Sequence, residues 1–516
     1  MLFRSTQFEA TDARRAFPCF DEPSKKATFS ITLVVDQGDT AISNGRILSD
    51  RPGPVPGKHT ITFATSPRMS SYLVAMAVGD FKCVSGGADG IPIRICSTPD
   101  KTPLATFALR AAEQQVGFYN RYYRIKYPFG KLDVLAVPDF AAGAMENIGA
   151  IFYRERVLLI DDQKASIGAH RQVADVLAHE IAHQWFGDLV TAQWWDNIWL
   201  NEGFATWASP NPTKAWKPEW NMHLDEVQDT SASLSLDSMA STRAIRAKAE
   251  TRAEIGEQFD GIAYDKSAAV LRMIESYVGR ETFRRGVTNY LNKHSYSNAT
   301  AEDFWSAITQ ASGKPVDKIM KTFVDQPGAP LISVAAKCTG KDETEVTLEQ
   351  QRFFYDRKRL EAGGPEMWNV PVCMRPAGSS QPARCELLTQ AEQAFTLPGC
   401  APWVFANAGG QGYYRSVYSP EAVRQMSASA ESALTPAERI TLLGDEWAQV
   451  RVGRHDIGDF LKLLEGLKSD RERAVVQIAA ERLRNISDDL TSDSDREAYQ
   501  AWVRDQIGRA SCRERV

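Results

Sequence analysis

The chain has 516 residues, of which 43% are hydrophobic and 24% charged, and its net charge is −5. This length exceeds what a single hydrophobic core supports and predicts three or four domains, while the composition is that of an ordinary soluble globular protein. The weakly acidic balance excludes the basic field that a nucleic-acid-binding protein uses to grip phosphates. No apolar run approaches the roughly 18–20 residues of a membrane span.

The first segment, residues 1–96, carries short alternating apolar patterns, most clearly at 29–35 and 59–63. Turns rich in Gly, Pro and Asp, such as 51–57, separate them. This pattern predicts an N-terminal β-sandwich of antiparallel strands, incomplete at its start, with residues 72–79 as a core strand.

Residues 97–326 form the second predicted segment, with mixed α and β patterns. Apolar spacing predicts a helix over 104–122 and a strongly apolar helix over 167–186, with further helices up to 324. Strands are predicted over 132–137 and 150–160.

A run of Pro and Gly at 326–330 is the clearest domain boundary. Residues 327–418 then predict a small β-sandwich, and residues 419–506 predict paired short helices that begin an α-solenoid-like C-terminal domain. The whole chain is therefore predicted to be a multidomain α+β protein. Residues 507–516 resemble a translated sequencing adapter, and we expect them to be an artefact that gives Cys512 no meaning.

The eight cysteines lie far apart and include no CxxC pair. We expect mostly buried thiols, but a disulfide such as Cys385–Cys400 is not excluded, because spacing alone does not fix connectivity.

No signal peptide opens the chain, and we expect its true start to be missing. The compartment is therefore left open between cytoplasm and periplasm or secretion, and the oligomeric state is also open.

The decisive motif is His179-Glu180-Ile181-Ala182-His183. Histidines four apart on a helix lie on one face, so both imidazoles can reach a single ion. Glu180 would stand beside the metal, where it can take a proton from bound water. The apolar neighbours of the motif argue against a solvated surface helix, because buried histidines and a buried carboxylate need a partner.

Catalytic zinc requires three protein ligands and one open position. Glu202 fits as the third ligand because it opens the next apolar helix, and a helix–turn–helix would return it to the metal. We therefore predict one Zn²⁺ per chain, bound by His179, His183 and Glu202. Thr206, one turn after Glu202, is a weaker candidate as a partner of a ligand.

These residues resemble the gluzincin aminopeptidases, the zinc aminopeptidase family that includes aminopeptidase N and leukotriene A4 hydrolase. The spacing from His183 to Glu202 and the run Asn201–Glu202–Gly203–Phe204–Ala205 match the family motif. The resemblance covers residues 1 to about 506 and implies a thermolysin-like zinc catalytic domain at 97–326. It suggests a bacterial member with both ends truncated.

The resemblance also extends to a second motif, formed by Gly143, Ala144, Met145, Glu146 and Asn147. It implies an exposed strand edge that pairs with the substrate backbone, with Glu146 on the peptide's α-ammonium group.

Upstream, a match around Gln7 and Glu9 implies that Glu9 joins Glu146 and that Gln7 lines the first side-chain pocket with Met145. Tyr264 is implied as the donor to the tetrahedral intermediate. Asp265 and Ser267 depart from the usual Tyr-Glu-Lys-Gly pattern there.

The predicted function is hydrolysis of the N-terminal peptide bond of peptides with a free α-amino group. Three alternatives remain. A thermolysin-like endopeptidase shares the zinc helix but does not need two ammonium-binding carboxylates. An epoxide hydrolase would need a lipid tunnel, and a non-catalytic peptide-binding protein would not need Glu180.

A cluster of tryptophans is predicted to pack the core and not to bind peptide; its members are Trp185, Trp194, Trp195, Trp199 and Trp207.

Overall fold

A computed structural model describes residues 3–340 and 342–507. The predicted adapter segment lies outside the described residues except at 507, and Cys512 lies outside them too. Two compact units divide the chain. The first comprises Met1–Met222, Arg246–Leu271 and Val278–Asp317, and the second comprises His223–Ile245, Arg272–Tyr277 and Lys318–Val516.

The chain begins with strands, as predicted. They are β1 (Arg4–Ser5), β2 (Thr32–Asp36), β3 (Thr40–Ser43), β4 (Ile47–Pro52), β5 (Lys58–Phe63), β6 (Met76–Gly79), β7 (Lys82–Ala88) and β8 (Ile91–Ser97). Two three-stranded antiparallel sheets result, in the orders β1-β6-β3 and β2-β5-β4. Alternate side chains of β2, β3 and β5 form a small core of Val35, Ala41, Ile61 and Phe63. The predicted strand at 72–79 is shorter than expected, because Ser71–Leu73 form a 3₁₀ turn.

A five-stranded mixed sheet follows, in the order β10-β11-β9-β8-β7. Its new strands are β9 (Leu132–Val137), β10 (Ala144–Met145) and β11 (Ala150–Arg154), and helix α1 (Thr106–Tyr123) lies between β8 and β9 in sequence. Every residue of β9 is buried, as expected for a strand with parallel neighbours on both sides. The predicted strand at 150–160 ends at Arg154, where a 3₁₀ turn over Glu155–Val157 begins. Strand β10 is left at the edge of this sheet.

Helices dominate the next part of the chain. They are α2 (Ile167–His183), α3 (Trp199–Ala208), α4 (Pro210–Trp216), α5 (Met222–Asp237), α6 (Arg252–Gly256), α7 (Ser267–Val278), α8 (Arg280–His294), α9 (Ala301–Ser312) and α10 (Val316–Val324). Two short parallel strands, β12 (Val190–Ala192) and β13 (Ser297–Ala299), pair among them. Thr251 and Thr300 form capping boxes at the starts of α6 and α9.

Strands return after residue 329 and give way to helices after 419. The strands, with one helix among them, are β14 (Pro330–Cys338), β15 (Glu343–Arg352), α11 (Arg357–Ala362), β16 (Val370–Pro376), β17 (Arg384–Leu388), β18 (Glu392–Pro398), β19 (Val404–Phe405) and β20 (Arg415–Tyr418). They form sheets in the orders β18-β15-β14-β20 and β17-β16-β19. The helices are α12 (Pro420–Ala428), α13 (Ala430–Ala433), α14 (Pro436–Arg451), α15 (Ile457–Glu465), α16 (Arg473–Asp489) and α17 (Arg496–Ile507). The mixed α+β architecture with an N-terminal strand region and a helical C-terminal region is therefore confirmed.

The expectation of mostly free thiols is wrong. Disulfides join Cys83 to Cys96, Cys338 to Cys400, and Cys373 to Cys385. The Cys385–Cys400 bridge does not form, because β16 and β17 pair with Cys373 directly opposite Cys385. Within the described residues, no helix is both long and apolar enough to cross a membrane.

Candidate active site

Helix α2 brings two histidines to one point. The hydroxyl of Ser166 caps its first turn by accepting from the amide of Ala169 at 3.2 Å. From Val173 onward most apolar side chains of the helix are buried, and Glu180 and His183 are buried with them. Because residues four apart share a helix face, the Nε2 atoms of His179 and His183 lie 3.1 Å apart.

Glu202 reaches the same point from helix α3. Its Oε2 atom lies 3.3 Å from Nε2 of His179 and 3.3 Å from Nε2 of His183. Although burial opposes it, the charge of His183 and hydrogen bonds from both imidazoles lower the pKa of Glu202 to about 2. The carboxylate is therefore ionised, as a metal ligand must be.

The spacing of these three atoms fits a zinc ion. Ligand atoms about 2.1 Å from a tetrahedral zinc stand roughly 3.4 Å from one another, close to the separations observed here. The Nδ1 atom of His183 faces the carbonyl oxygen of Phe186 at 2.8 Å, which can only accept. Nδ1 therefore carries a proton, which leaves Nε2 as the nitrogen that would bind a metal. Thr206 contacts the other histidine, with its Oγ1 atom 3.4 Å from Nδ1 of His179.

Glu180 lies on the same buried side of α2. One of its carboxylate oxygens lies within 4.8 Å of ligand atoms of Glu146 and His183. Burial is the main cause that raises the pKa of Glu180 well above its usual range, and the neighbouring carboxylates of Glu146 and Glu202 add to it. A carboxylate whose proton affinity is raised in this way is suited to accept and return a proton.

Tyr264 lies beside His179 on a π-helical turn, Ile262–Lys266, in which the amide of Lys266 donates to the carbonyl of Gly261. Its ring stacks on that of His179, with ring centroids 6.0 Å apart and planes 13° apart. Burial raises the pKa of the Tyr264 hydroxyl well above 10, so the group stays a hydrogen-bond donor. Such π turns are frequent at functional sites.

The departure at Ser267 has a local explanation. Its hydroxyl donates to the carbonyl oxygen of Ile262 at 3.1 Å, across the π turn. The turn also packs closely on α3, because a Cβ atom on Gly203 would lie 2.4 Å from the Cβ atom of Ser267. Glycine next to Glu202 therefore allows α3 and the Tyr264 turn to meet.

A second group of carboxylates lies beside the histidines. Carboxylate oxygens of Glu9, Glu146 and Glu202 lie within 4.8 Å of one another. Burial, reinforced by the neighbouring carboxylates, raises the pKa of both Glu9 and Glu146. Among the described residues, Oε1 of Glu9, Oε1 of Glu146 and both side-chain polar atoms of Asn147 have no hydrogen-bond partner. Buried polar atoms left unpaired cost about 1–3 kcal/mol each, so their clustering here indicates a ligand-binding site.

The other residues of this motif form the edge strand. Ala144 and Met145 pair with β11 on one side only, and Gly143 before them is exposed. Gln7 contacts this strand, with its Nε2 atom 3.2 Å from the sulfur of Met145. Of the residues that the sequence singled out, the structure thus groups His179, Glu180, His183, Glu202, Glu9 and Glu146, and it places Tyr264 on His179 and Gln7 on Met145.

Sequence reasoning missed the side chains that hold this segment in place, namely Asn44, Lys131 and Gln184. The position of Gln184 directly after His183 was the available signal. The tryptophans pack the core as predicted. Trp185, Trp195, Trp199 and Trp207 are buried, and Trp194 donates its indole N–H to the carbonyl of Ala249.

The paired histidines and glutamate on two adjacent helices, with a glutamate directly after the first histidine, define a gluzincin type of metal centre. Residues 107–323 match the peptidase family M1 domain, residues 2–73 match the peptidase M1 N-terminal domain, and residues 403–513 match the ERAP1-like C-terminal domain. The chain belongs to the peptidase M1 family.

Several named proteins are similar to this chain over most of its length. Aminopeptidase M1 of Arabidopsis thaliana is 38% identical over 491 residues, covering 91% of this chain and 54% of the relative. Puromycin-sensitive aminopeptidase of Caenorhabditis elegans is 37% identical, with 97% and 53% covered. Alanine/arginine aminopeptidase of Saccharomyces cerevisiae is 37% identical, with 90% and 53% covered. The chain spans about half the length of these curated relatives.

Proposed function

We propose that this chain is a zinc-dependent aminopeptidase that hydrolyses the first peptide bond of peptides with a free α-amino group. The observation that carries the proposal is the position of Glu9 and Glu146, whose carboxylate oxygens lie within 4.8 Å of the proposed metal ligand Glu202. A cationic amino terminus bound there leaves room for little more than one residue before the metal.

His179, His183 and Glu202 would hold one zinc ion per chain. When bound, zinc supplies a Lewis acid and a water of lowered pKa. Every other part of the chemistry falls to the protein's own side chains.

Glu180 accepts the proton of the attacking water and returns it to the departing amine. Its burial beside other carboxylates gives it the raised proton affinity that this exchange requires. Tyr264 donates a hydrogen bond to the oxygen that becomes negative in the tetrahedral intermediate. Its raised pKa keeps the proton on the hydroxyl throughout.

Glu9 and Glu146 bind the α-ammonium group and orient the first peptide bond. The free side of β10, formed by Gly143, Ala144 and Met145 with Asn147 beyond them, pairs with the substrate backbone. Gln7 and Met145 line the pocket for the first side chain. An acylated amino terminus would leave two buried carboxylates without a counter-charge, so we expect it to be rejected.

We also propose a finer architecture for the chain. Residues 97–326 form a thermolysin-like zinc catalytic domain, and residues 1–96 and 327–418 form β-sandwiches. Residues 419–506 begin an α-solenoid-like domain. The support comes from the family match at 107–323 and from the strand and helix content of the flanking regions.

The test is a panel of fluorogenic single-residue amides, including alanine and arginine because the name of the yeast relative carries both. A set of short peptides is also offered, each with a free and with an acetylated amino terminus. We expect hydrolysis only of the free forms. Equal cleavage of acetylated peptides at internal bonds would favour an endopeptidase, and no cleavage by protein that contains zinc would favour a binding protein.

A further inference from the structure

The segment at 143–149, which carries Glu146, is hydrogen-bonded to the residue that follows helix α2. Gln184, the residue after His183, has no exposed surface (0%). Its Nε2 atom donates to the carbonyl oxygen of Glu146 at 2.9 Å. Its Oε1 atom accepts from the amide of Gly149 at 3.1 Å and from the hydroxyl of Tyr127 at 3.0 Å.

The orientation of this amide is fixed by its partners. A backbone carbonyl can only accept and a backbone N–H can only donate, so the contacts with Glu146 and Gly149 decide which end of Gln184 is oxygen. Both acceptor positions of Oε1 are occupied. The side chain is therefore held at three points and has no alternative set of partners among them.

Two further side chains hold the far end of the same segment. Asn44 donates to the carbonyl of Ile148 at 2.9 Å, and Lys131 donates to the carbonyl of Gly149 at 2.6 Å. Gly149 adopts a φ of 64°, and a Cβ atom there would lie 2.9 Å from the carbonyl oxygen of Asn44. These contacts anchor the segment to the surrounding structure, while Gln184 alone among them joins it to the zinc helix.

The Gln184 side chain links the proposed metal site to the Glu146 segment. His183 and Gln184 are consecutive residues, and the main chain of Glu146 is bonded to Gln184. The shortest link between the main chain of a proposed metal ligand and that of the proposed ammonium-binding residue thus runs through one peptide unit, the Gln184 side chain and one hydrogen bond.

We propose that Gln184 is the positioning residue that fixes the Glu146 carboxylate relative to the metal centre and so enforces recognition of the α-ammonium group. This inference rests on the proposed function. Without the Gln184 amide, the Glu146 carbonyl loses its partner at the end of α2, and the carboxylate can shift relative to the first residue of the substrate although the other anchors remain. The metal ligands keep their own contacts, so metal binding is retained.

The test measures binding of two hydroxamates by calorimetry. Leucine hydroxamate carries the α-amine, and 4-methylpentanohydroxamate is the same molecule without it. The Kd of 4-methylpentanohydroxamate divided by the Kd of leucine hydroxamate reports how much affinity the protein gains from the ammonium group. It is measured for the full chain and for Gln184→Met, together with zinc content and melting temperature.

Gln115 provides a matched control. It is equally buried (1% exposed) and donates to the carbonyl of Ala174 on helix α2 at 2.7 Å, and among the described residues it makes no hydrogen bond to the 143–149 segment. We expect Gln184→Met to lower the Kd ratio by about tenfold or more, since small displacements at a binding site have effects of this size. Gln115→Met should leave the ratio unchanged and lower only the melting temperature.

The outcomes separate the two proposals. A wild-type protein that binds both hydroxamates equally contradicts the proposed function itself. A wild-type protein that prefers the amine, with an unchanged preference in Gln184→Met, overturns the role of Gln184 and leaves it a structural residue. If Gln184→Met does not fold, Gln184→Asn is measured in its place. It keeps an amide but is one methylene too short to reach Glu146, so the same fall in ratio is expected.

Discussion

At the level of single residues, Glu180 is the side chain whose replacement separates proton transfer from metal binding. It lies beside the three proposed ligands without belonging to them. Glu180→Gln should therefore retain about one zinc per chain and the wild-type melting temperature. Loss of the general base should lower kcat by about a hundredfold to ten-thousandfold. Zinc content and steady-state rates check this, and a variant with more than about half the wild-type kcat would exclude Glu180 as the base.

Tyr264 is expected to act only after water has attacked. Tyr264→Phe keeps the ring that stacks on His179 but removes the donor, so kcat should fall about a hundredfold to a thousandfold while KM changes little. Tyr290, another buried tyrosine, provides the control, because its ring packs against Phe204, His294 and Phe304 and not against His179. Tyr290→Phe should keep its kcat. A comparable loss in both variants would mean that the effect is one of folding.

At the level of elements, α3 packs closely on the Tyr264 turn and on the start of α7. A methyl group at Gly203 would lie 2.4 Å from the Cβ atom of Ser267, so Gly203→Ala must push the two elements apart. Overpacking of this kind typically costs about 1–3 kcal/mol of unfolding free energy. The same displacement moves Glu202 and Tyr264, so zinc affinity and kcat should fall together.

A rescue and a control sharpen this prediction. Ser267→Gly removes the atom that the new methyl group meets and should restore part of the stability of Gly203→Ala. Gly256, where a Cβ atom meets nothing within 4 Å, should accept alanine without loss. Thermal unfolding of the wild type, Gly203→Ala, the double variant Gly203→Ala/Ser267→Gly and Gly256→Ala checks both expectations. A double variant no more stable than Gly203→Ala would place the clash elsewhere, for example on the carbonyl of Ala263, 3.2 Å away.

The elements also show what sequence can predict. Helical periodicity alone places His179 and His183 on one face, and the strand-like alternation of the first and third segments follows from burial of every second side chain. The contacts of Gln184 could not be predicted, because they depend on how closely the segment at 143–149 approaches α2. The disulfide pairing could not be predicted from the sequence either. Spacing does not determine connectivity, and the bridge between Cys373 and Cys385 follows from strand register.

At the level of the whole molecule, the disulfides differ in the length of chain they close. Cys338 and Cys400 are 62 residues apart, while Cys373 and Cys385, in the same compact unit, are 12 apart. Loop-closure entropy predicts a stabilisation of about 4 kcal/mol for the long loop and about 3 kcal/mol for the short one. Replacing both cysteines of a pair by serine should therefore lower the unfolding midpoint more for Cys338–Cys400. Chemical unfolding checks the order, and free thiols at these positions in unreduced, denatured protein would remove its basis.

The edge position of β10 has a consequence for how successive residues would be removed. A peptide paired with this strand alternates its side chains between two faces, so a shift by one residue would turn every side chain to the wrong face. After one cleavage, the new amino terminus lies about 3.3 Å short of Glu9 and Glu146 and cannot slide forward while it stays paired. The shortened peptide must leave the strand before it binds again. Trimming is therefore expected to be distributive, with every intermediate length released into solution.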